Sequence, residues 1–331
     1  MKALIAGLGS IGTRHALNLR SLDVEIVGFD PDPERRDAFK ARLPGAPLAR
    51  TLDEGLAQGC NIAMIASPNR FHLEQCMAVA DAGLHFLVEK PLATAAAGVS
   101  ELVTRAERRK LVAMVGSNWK FHPALARMRA LLEADEIGRP LAVQAVGGQY
   151  LPDWHPWEDY RRMYSSRREL GGGALLDSHD LDYLTWLLGP VASVGCRTAT
   201  TGTLDIDTED LASMTLAFRS GVLGTLQLDY LQRPYSRRVH VTGEAGTLIW
   251  DAVENELSHY SPREQAWRRW KPPMSYDLNR MYIEEMQHFL ECVRKGAQPL
   301  TPLEQGAHVM AVLDACRRSA ARGGAPEEVA P

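Results

Sequence analysis

The chain opens Met1-Lys-Ala-Leu-Ile-Ala-Gly-Leu-Gly-Ser-Ile-Gly12, and an acid, Asp30, closes the next apolar run, Glu25–Phe29. Residues Ala3 to Ala6 read as a short strand buried on both faces. Gly7, Gly9 and Gly12 then form G-x-G-x-x-G. The first glycine permits the tight turn out of the strand. The second lacks a Cβ, so a pyrophosphate can approach the backbone. The third lets the following helix, read over residues 11–21, pack close to the sheet. The N–H groups of Ser10 and Ile11 at that helix start point, with the helix dipole, at the phosphates. Asp30 lies 23 residues beyond Gly7, where its carboxylate can accept hydrogen bonds from an adenosine ribose. A 2′-phosphate there meets like charge, so the pattern predicts NAD in preference to NADP. Arg35 and Arg36, just past Asp30, are the cations that can offset this preference, and they also fit a solvated helix start.

Working outward, 331 residues predict two domains. Apolar residues make up 45% and charged residues 24%, the proportions of a soluble globular protein. A net charge of −4 gives no general attraction to nucleic acid or anionic membrane. No apolar run reaches the ~20 residues that span a bilayer, and the start of the chain shows no signal-peptide pattern. The five cysteines, Cys60, Cys76, Cys196, Cys292 and Cys316, are scattered without C-x-x-C spacing. They read as buried or free thiols in a reducing cytoplasm. No His or Cys cluster has metal-ligand spacing.

Up to about Lys120, short apolar runs alternate with helical patterns. The runs are 3–6, 25–29, 62–66, 85–88 and 112–115, and the helices include 71–82 and 95–109. Strands separated by helices predict a doubly wound parallel sheet, a Rossmann arrangement over residues 1–120. From Leu141 the pattern changes to longer alternating runs at 141–150, 191–200, 210–218, 222–231, 237–242 and 246–250. With helices near 180–188, 278–294 and 303–321, these predict an α+β domain over 121–331 with a large, open, mostly antiparallel sheet of about six strands. A broad sheet with one helix layer leaves an apolar face to bury, which predicts a homodimer or homotetramer formed through that sheet.

Three segments fall where a nicotinamide must sit, beyond the C-terminal ends of parallel strands. Ala66-Ser67-Pro68-Asn69, with His72 close behind, follows one strand and lines the cofactor site. Val88-Glu89-Lys90-Pro91 follows another, and Pro91 holds Lys90 extended. Gly171–Tyr183 (G-G-G-A-L-L-D-S-H-D-L-D-Y) brings three glycines, Asp177, His179 and Asp182. Asp177 and His179 are two apart, and residues i and i+2 of a helix do not share a face. Asp177 therefore faces inward only if the helix starts after Ser178, and it also fits a helix N-cap. Lys120 and the rings of Trp154 and Tyr160 are candidate substrate contacts, since aromatic rings stack on sugar faces. His122, before a proline, reads as structural.

The segments G-L-G-S-I-G, A-S-P-N, V-E-K-P-L, N-W-K-F-H-P, G-G-G-x-x-x-D with H-x-x-D, T-E-D and G-E-A-G-T-L resemble, in order and over nearly the whole chain, the glucose–fructose oxidoreductase / inositol dehydrogenase (Gfo/Idh/MocA) family. The resemblance implies NAD(P)-dependent hydride transfer between cofactor and a hydroxyl or keto carbon of a sugar, polyol or related compound. It implies catalytic roles for Lys90, His179 and Asp182. The family commonly writes D-x-G-x-H, so the D-S-H here weakens the transfer of a catalytic role to Asp177. The segment Tyr150–Arg161 resembles a subset associated with surface-sugar biosynthesis, which implies a sugar or nucleotide-sugar substrate. In chemical terms, a histidine can take the hydroxyl proton near neutral pH. Lys90 can stabilise a developing alkoxide as an ammonium or, desolvated, carry the proton itself. The alternatives are a non-catalytic NAD-binding sensor on the same scaffold and an NAD-recycling glycosidase-type enzyme.

Overall fold

The computed structural model describes residues 1–330. Two compact units emerge: Met1–Asn118 together with Leu278–Ala307, and Trp119–Asp277 together with the segment from His308. Residues 278–307, which the sequence pattern assigns to the second domain, thus group with the first unit.

In the first unit, β1 (Lys2–Ala6), β2 (Glu25–Phe29), β3 (Leu48–Ala49), β4 (Ile62–Ile65), β5 (His85–Glu89) and β6 (Ala113–Gly116) form an all-parallel sheet in the order β3-β2-β1-β4-β5-β6. The connecting helices are α1 (Ser10–Arg20), α2 (Pro33–Arg42), α3 (Leu52–Leu56), α4 (His72–Asp81) and α5 (Val99–Arg108). The strand order reverses between β1 and β4, the switch point at which open α/β sheets take ligands. The strand interiors are apolar because helices cover both faces; Ala3–Ala6, Ile62–Ile65 and Phe86–Val88 are all fully buried. The two-residue β3 lies in Pro-Leu-Ala and has no apolar run from which it can be read.

The second unit begins with α6 (Pro123–Glu133). Its strands are β7 (Pro140–Gly148), β8 (Val191–Ala199), β9 (Leu211–Phe218), β10 (Leu223–Asp229), β11 (Ser236–Gly243), β12 (Gly246–Asp251), β13 (Glu256–Ser261), β14 (Ala266–Trp270) and β15 (Glu327–Glu328). They form one nine-stranded sheet, β14-β13-β12-β11-β7-β10-β9-β8-β15, in which β10–β7 is parallel and the other pairs antiparallel. α7 (His179–Leu188) belongs to this unit, α8 (Asn279–Lys295) to the first, and α9 (Leu303–Ala321) completes the helices. One sheet face carries Met214, Leu216, Leu226, Leu228, Val239 and Val241, all buried. The other carries Gln144, Ser213, Thr215, Thr225, Gln227 and Thr242, all exposed. The expectation of an apolar open face is therefore corrected: period-2 alternation places mainly polar residues there, and Leu223 and Trp267 are exposed large apolar residues on it.

A buried aromatic cluster closes one end of this unit. Trp119, His122, Tyr183 and Tyr276 gather around Trp250, with ring centroids 5.4 to 5.8 Å apart among the contacting pairs. His122 Nδ1 accepts the Ala124 N–H at the start of α6, which requires a neutral ring, and burial lowers its pKa to about 4. A histidine depressed in the folded state contributes stability that is complete above its ordinary value of 6.5 and is lost as pH falls toward 4. His122→Asn keeps an N-cap acceptor without the titration. Urea denaturation should show wild-type stability falling more steeply than that of the variant across this interval, by up to about 3 kcal/mol. Parallel pH profiles would remove this role from His122.

Candidate active site

The first unit supplies a cofactor cradle. Gly7 has φ +94°, which side-chain-bearing residues rarely adopt, and its N–H is bonded to Phe29 O at 2.9 Å. A Cβ on Gly12 would sit 1.8 Å from Gly7 O, so only glycine lets α1 approach β1 this closely. A Cβ on Gly9 would meet nothing within 4 Å: the backbone there faces open space at the N-terminus of α1, where Ser10 is exposed and Ile11 half-buried. Asp30 is fixed by two backbone donors. Leu8 N donates to Oδ2 at 2.9 Å, and Asp32 N donates to Oδ1 at 3.0 Å. Arg36 folds back so that Nη1 donates to the carbonyls of Asp30 and Pro31 at 2.7 and 2.9 Å. This loop therefore has the open helix N-terminus and the oriented acid that a dinucleotide needs.

Beyond β4, Ser67 Oγ donates to Gln75 Oε1 at 2.8 Å, Pro68 is half-buried, and Asn69 is buried. His72 is fully buried, with Nε2 2.8 Å from Ser67 O and Nδ1 2.8 Å from Pro91 O. It ties the loop after β4 to the loop after β5, and burial lowers its pKa despite the two carbonyls. Glu89 ends β5, and half-buried Lys90 follows it.

In the second unit, α7 starts at His179 with Ser178 as the N-cap residue, so Asp177 lies outside the helix and turns inward. Ser178, not Asp177, occupies the cap position that was one expected role for the acid, and no side chain caps this end. Asp177 Oδ2 lies 3.6 Å from Arg237 Nη2 on β11, and Asp180 Oδ2 lies 3.2 Å from the same nitrogen. Tyr183 OH donates to Asp180. Burial pushes Arg237 down, but Asp180, Tyr235 and Asp177 outweigh it and hold the guanidinium charged. Asp182 and Lys120 form a buried pair at 2.8 Å. The Lys120 ammonium is out of solvent and paired with Asp182, because a buried charge needs an opposite one. Trp154 and Tyr160 are half-buried and take part in packing. They lie against the cluster Leu151, Ala174, Leu204 and Tyr230, with the Trp154 and Tyr230 rings 5.2 Å apart. The exposed rings of this loop are Trp157 and Tyr164.

Two buried polar residues escape sequence reasoning. Arg237 occupies a buried phase of the Arg237-x-Val239-x-Val241 alternation, and His15 lies on the Gly12-x-x-His15-Ala16-x-x-Leu19 stripe that packs inward. Their phases were legible, but their partners were not.

Fold and site together define a two-unit, dinucleotide-binding oxidoreductase. Residues 1–117 match the oxidoreductase family's NAD-binding Rossmann fold, and residues 129–329 match its C-terminal alpha/beta domain. The chain belongs to the Gfo/Idh/MocA oxidoreductase family and is an NAD-binding oxidoreductase. It is 27% identical to a myo-inositol 2-dehydrogenase of Thermotoga maritima, over 96% of each chain. Among solved structures, it superposes on a levoglucosan dehydrogenase in complex with NADH and levoglucosan with a TM-score of 0.90, at 20% identity and full coverage of both chains. It superposes on the WlbA dehydrogenase of Bordetella pertussis, in complex with NADH and UDP-GlcNAcA, with a TM-score of 0.85, at 26% identity, covering 100% of this chain and 98% of that one. These relatives carry the names of dehydrogenases, which does not favour the sensor or the NAD-recycling reading. Among the described residues, no helix is long and apolar enough to cross a membrane, and no group of three His, Cys, Asp or Glu residues can hold a metal ion.

The fixed carboxylate of Asp30 gives a direct test. Asp30→Asn keeps one acceptor and removes the charge. Titrations with NAD and NADP should show the preference for NAD reduced about tenfold or more, a change of roughly 1.4 kcal/mol. An unchanged ratio would exclude Asp30 as the discriminating group.

Proposed function

We propose that the protein transfers hydride between NAD and a hydroxyl- or keto-bearing carbon of a sugar, polyol or nucleotide-sugar. The observation that carries this reading is Lys90. It stands directly after a buried strand of the cofactor-binding sheet, in V-E-K-P, with the carboxylate of Glu89 and the rings of His15 and His72 close by. The substrate class follows the relatives, whose names and bound ligands are a polyol, an anhydrosugar and a nucleotide-sugar.

The cofactor, when bound, supplies the hydride acceptor or donor. The backbone at Gly9, Ser10 and Ile11 receives the pyrophosphate, and Asp30 accepts the ribose hydroxyls. Ser67, Pro68, Asn69, His72 and Glu89 shape the loops along the rest of the dinucleotide. Lys90 donates a hydrogen bond to the reacting oxygen and stabilises the charge that develops there. His179 takes the hydroxyl proton in oxidation and returns it in reduction. Asp177 and Asp182, in this reading, orient the His179 helix through Arg237 and Lys120 rather than touching substrate.

The expected setting is the cytoplasm, in keeping with five cysteines that are all free and buried. Self-association through the polar face of the nine-stranded sheet accompanies this reading. Sedimentation of the wild type should give a dimer or tetramer, and Leu223→Glu should shift it toward monomer. A monomeric wild type would end that part.

Incubation with NAD and a panel that includes myo-inositol, levoglucosan and UDP-sugars should give net NADH. Lys90→Ala and His179→Ala should each lower kcat by about 100-fold or more, with NADH affinity little changed. Wild-type turnover in either variant removes that residue from the mechanism.

A further inference from the structure

Thr208-Glu209-Asp210 takes no part in the mechanism above, yet it packs against the loop that leads to Asp177 and His179. Its last residue ties it to the sheet. Asp210 N donates to Ala199 O at 3.0 Å, and Asp210 O accepts the Tyr230 N–H at 2.9 Å. The Asp210 carboxylate accepts the N–H and hydroxyl of Thr201 at 2.7 to 3.1 Å. β9 begins at the next residue, Leu211. Thr208 Oγ1 reaches the loop itself, donating to Ser165 O at 3.3 Å. Glu209 therefore stands on a segment fixed from both sides.

From there it grips the loop twice. Its carbonyl accepts the Ala174 N–H at 3.0 Å, and its Oε1 accepts the Leu175 N–H at 3.1 Å. A Cβ on Gly173 would lie 2.2 Å from Oε1 and 2.8 Å from Oε2, so the carboxylate occupies the space that any side chain at 173 would fill. The hold passes on through the backbone. Asp177 N donates to Ala174 O at 3.2 Å, and Ser178 N donates to Leu176 O at 2.9 Å. Ser178 is the N-cap residue of α7, and His179 is the first residue of that helix.

We infer that Glu209 is a positioning residue: its carboxylate fixes the turn Ala174–Leu176 and so sets where His179 begins α7, a role that rests on the proposed part of His179 in hydride transfer. A single 3-10 turn leaves its first N–H groups without partners inside the turn. Ala174, Leu175 and Leu176 are all buried, so an N–H left unpaired there bears its full desolvation cost. Leu176 N is served within the turn, by Gly173 O at 3.1 Å. Ala174 N is served by the backbone of residue 209, which any amino acid provides. Leu175 N alone depends on the side chain. What the site requires of residue 209 is thus an acceptor at the reach of a glutamate.

Glu209→Met and Glu209→Gln match the original side chain in reach and differ in that acceptor. Amide hydrogen exchange of peptides covering residues 173–178, read by mass spectrometry without substrate, should quicken about tenfold in Glu209→Met and stay near wild type in Glu209→Gln. With NAD and a sugar that gives NADH, Glu209→Met should lower kcat about tenfold, with KM and NADH affinity little changed, while Glu209→Gln keeps wild-type kcat. Glu209→Ala, which also lacks the acceptor, should quicken exchange to the same degree and takes the place of the methionine variant if that one does not fold. Exchange quickened equally in the methionine and glutamine variants, or in neither, overturns the assignment, because packing and not the hydrogen bond then decides. Quickened exchange with unchanged kcat removes the effect on His179. The exchange readout needs no turnover, so a fully active His179→Ala enzyme would refute the catalytic reading while exchange still decides whether Glu209 holds the turn.

Discussion

The contact between Gly12 and the carbonyl of Gly7 is the constraint from which the first unit follows. A Cβ at that position would overlap the oxygen at 1.8 Å, so the helix can lie where it does only if the residue has none. That close approach presents the N-terminus of α1 toward open space at Gly9. One turn further along, it delivers His15 to Glu89. The turn that shapes the phosphate site and the side chain that holds the glutamate before Lys90 are three residues apart on one helix. A displacement of α1 would disturb both.

Buried charge does comparable positioning in the second unit. Asp180 and Asp177 share Arg237, and Asp182 pairs with Lys120. Such pairs add little net stability compared with apolar packing, but removing one partner strands the other at a cost of roughly 3–5 kcal/mol. Their value is directional. α7 begins at His179 without a side-chain cap, so its first turn lacks the usual local constraint on where it starts. Two ionic contacts from different elements supply that constraint: one from β11 and one from the segment before α6. The guanidinium of Arg237 also lies 5.0 Å from the centre of the Trp119 ring, linking the acid pair to the aromatic cluster around Trp250.

The parallel half was legible because strands covered on both faces must be apolar throughout. Ile62–Ile65 and Phe86–Val88 can scarcely be read otherwise. β13 and β14 were not legible. Glu-Leu-Ser-His-Tyr-Ser and Ala-Trp-Arg-Arg-Trp lack alternation, since β14 is an edge strand with most of its residues exposed, and pairing rather than burial keeps these strands in the sheet. The start of α7 was legible only as a condition: D-S-H allowed Asp177 either to cap the helix or to precede it, and Arg237, 60 residues later in the chain, draws it inward. The same limit applies to Lys120. Nothing local distinguishes an exposed lysine from one buried against an acid 62 residues away.

The loop between β7 and α7 carries the remaining question of selectivity. It is built from short 3-10 turns rather than regular elements, and a small apolar cluster of Leu151, Ala174, Leu204 and Tyr230 anchors it. Trp154 and Tyr160 serve that anchor, and the Tyr160 hydroxyl accepts the Asp205 N–H, which ties the loop to the chain after β8. Anchoring rings are fixed in place by the cluster they fill. Trp157, 75% exposed and meeting His155 edge-on at 5.2 Å, is not part of that cluster. A flat apolar ring with a polar edge, carried on a loop whose base is rigid, can engage a sugar face without disturbing the fold beneath it. By that argument, Trp157 is a ring of this loop that packing leaves unclaimed.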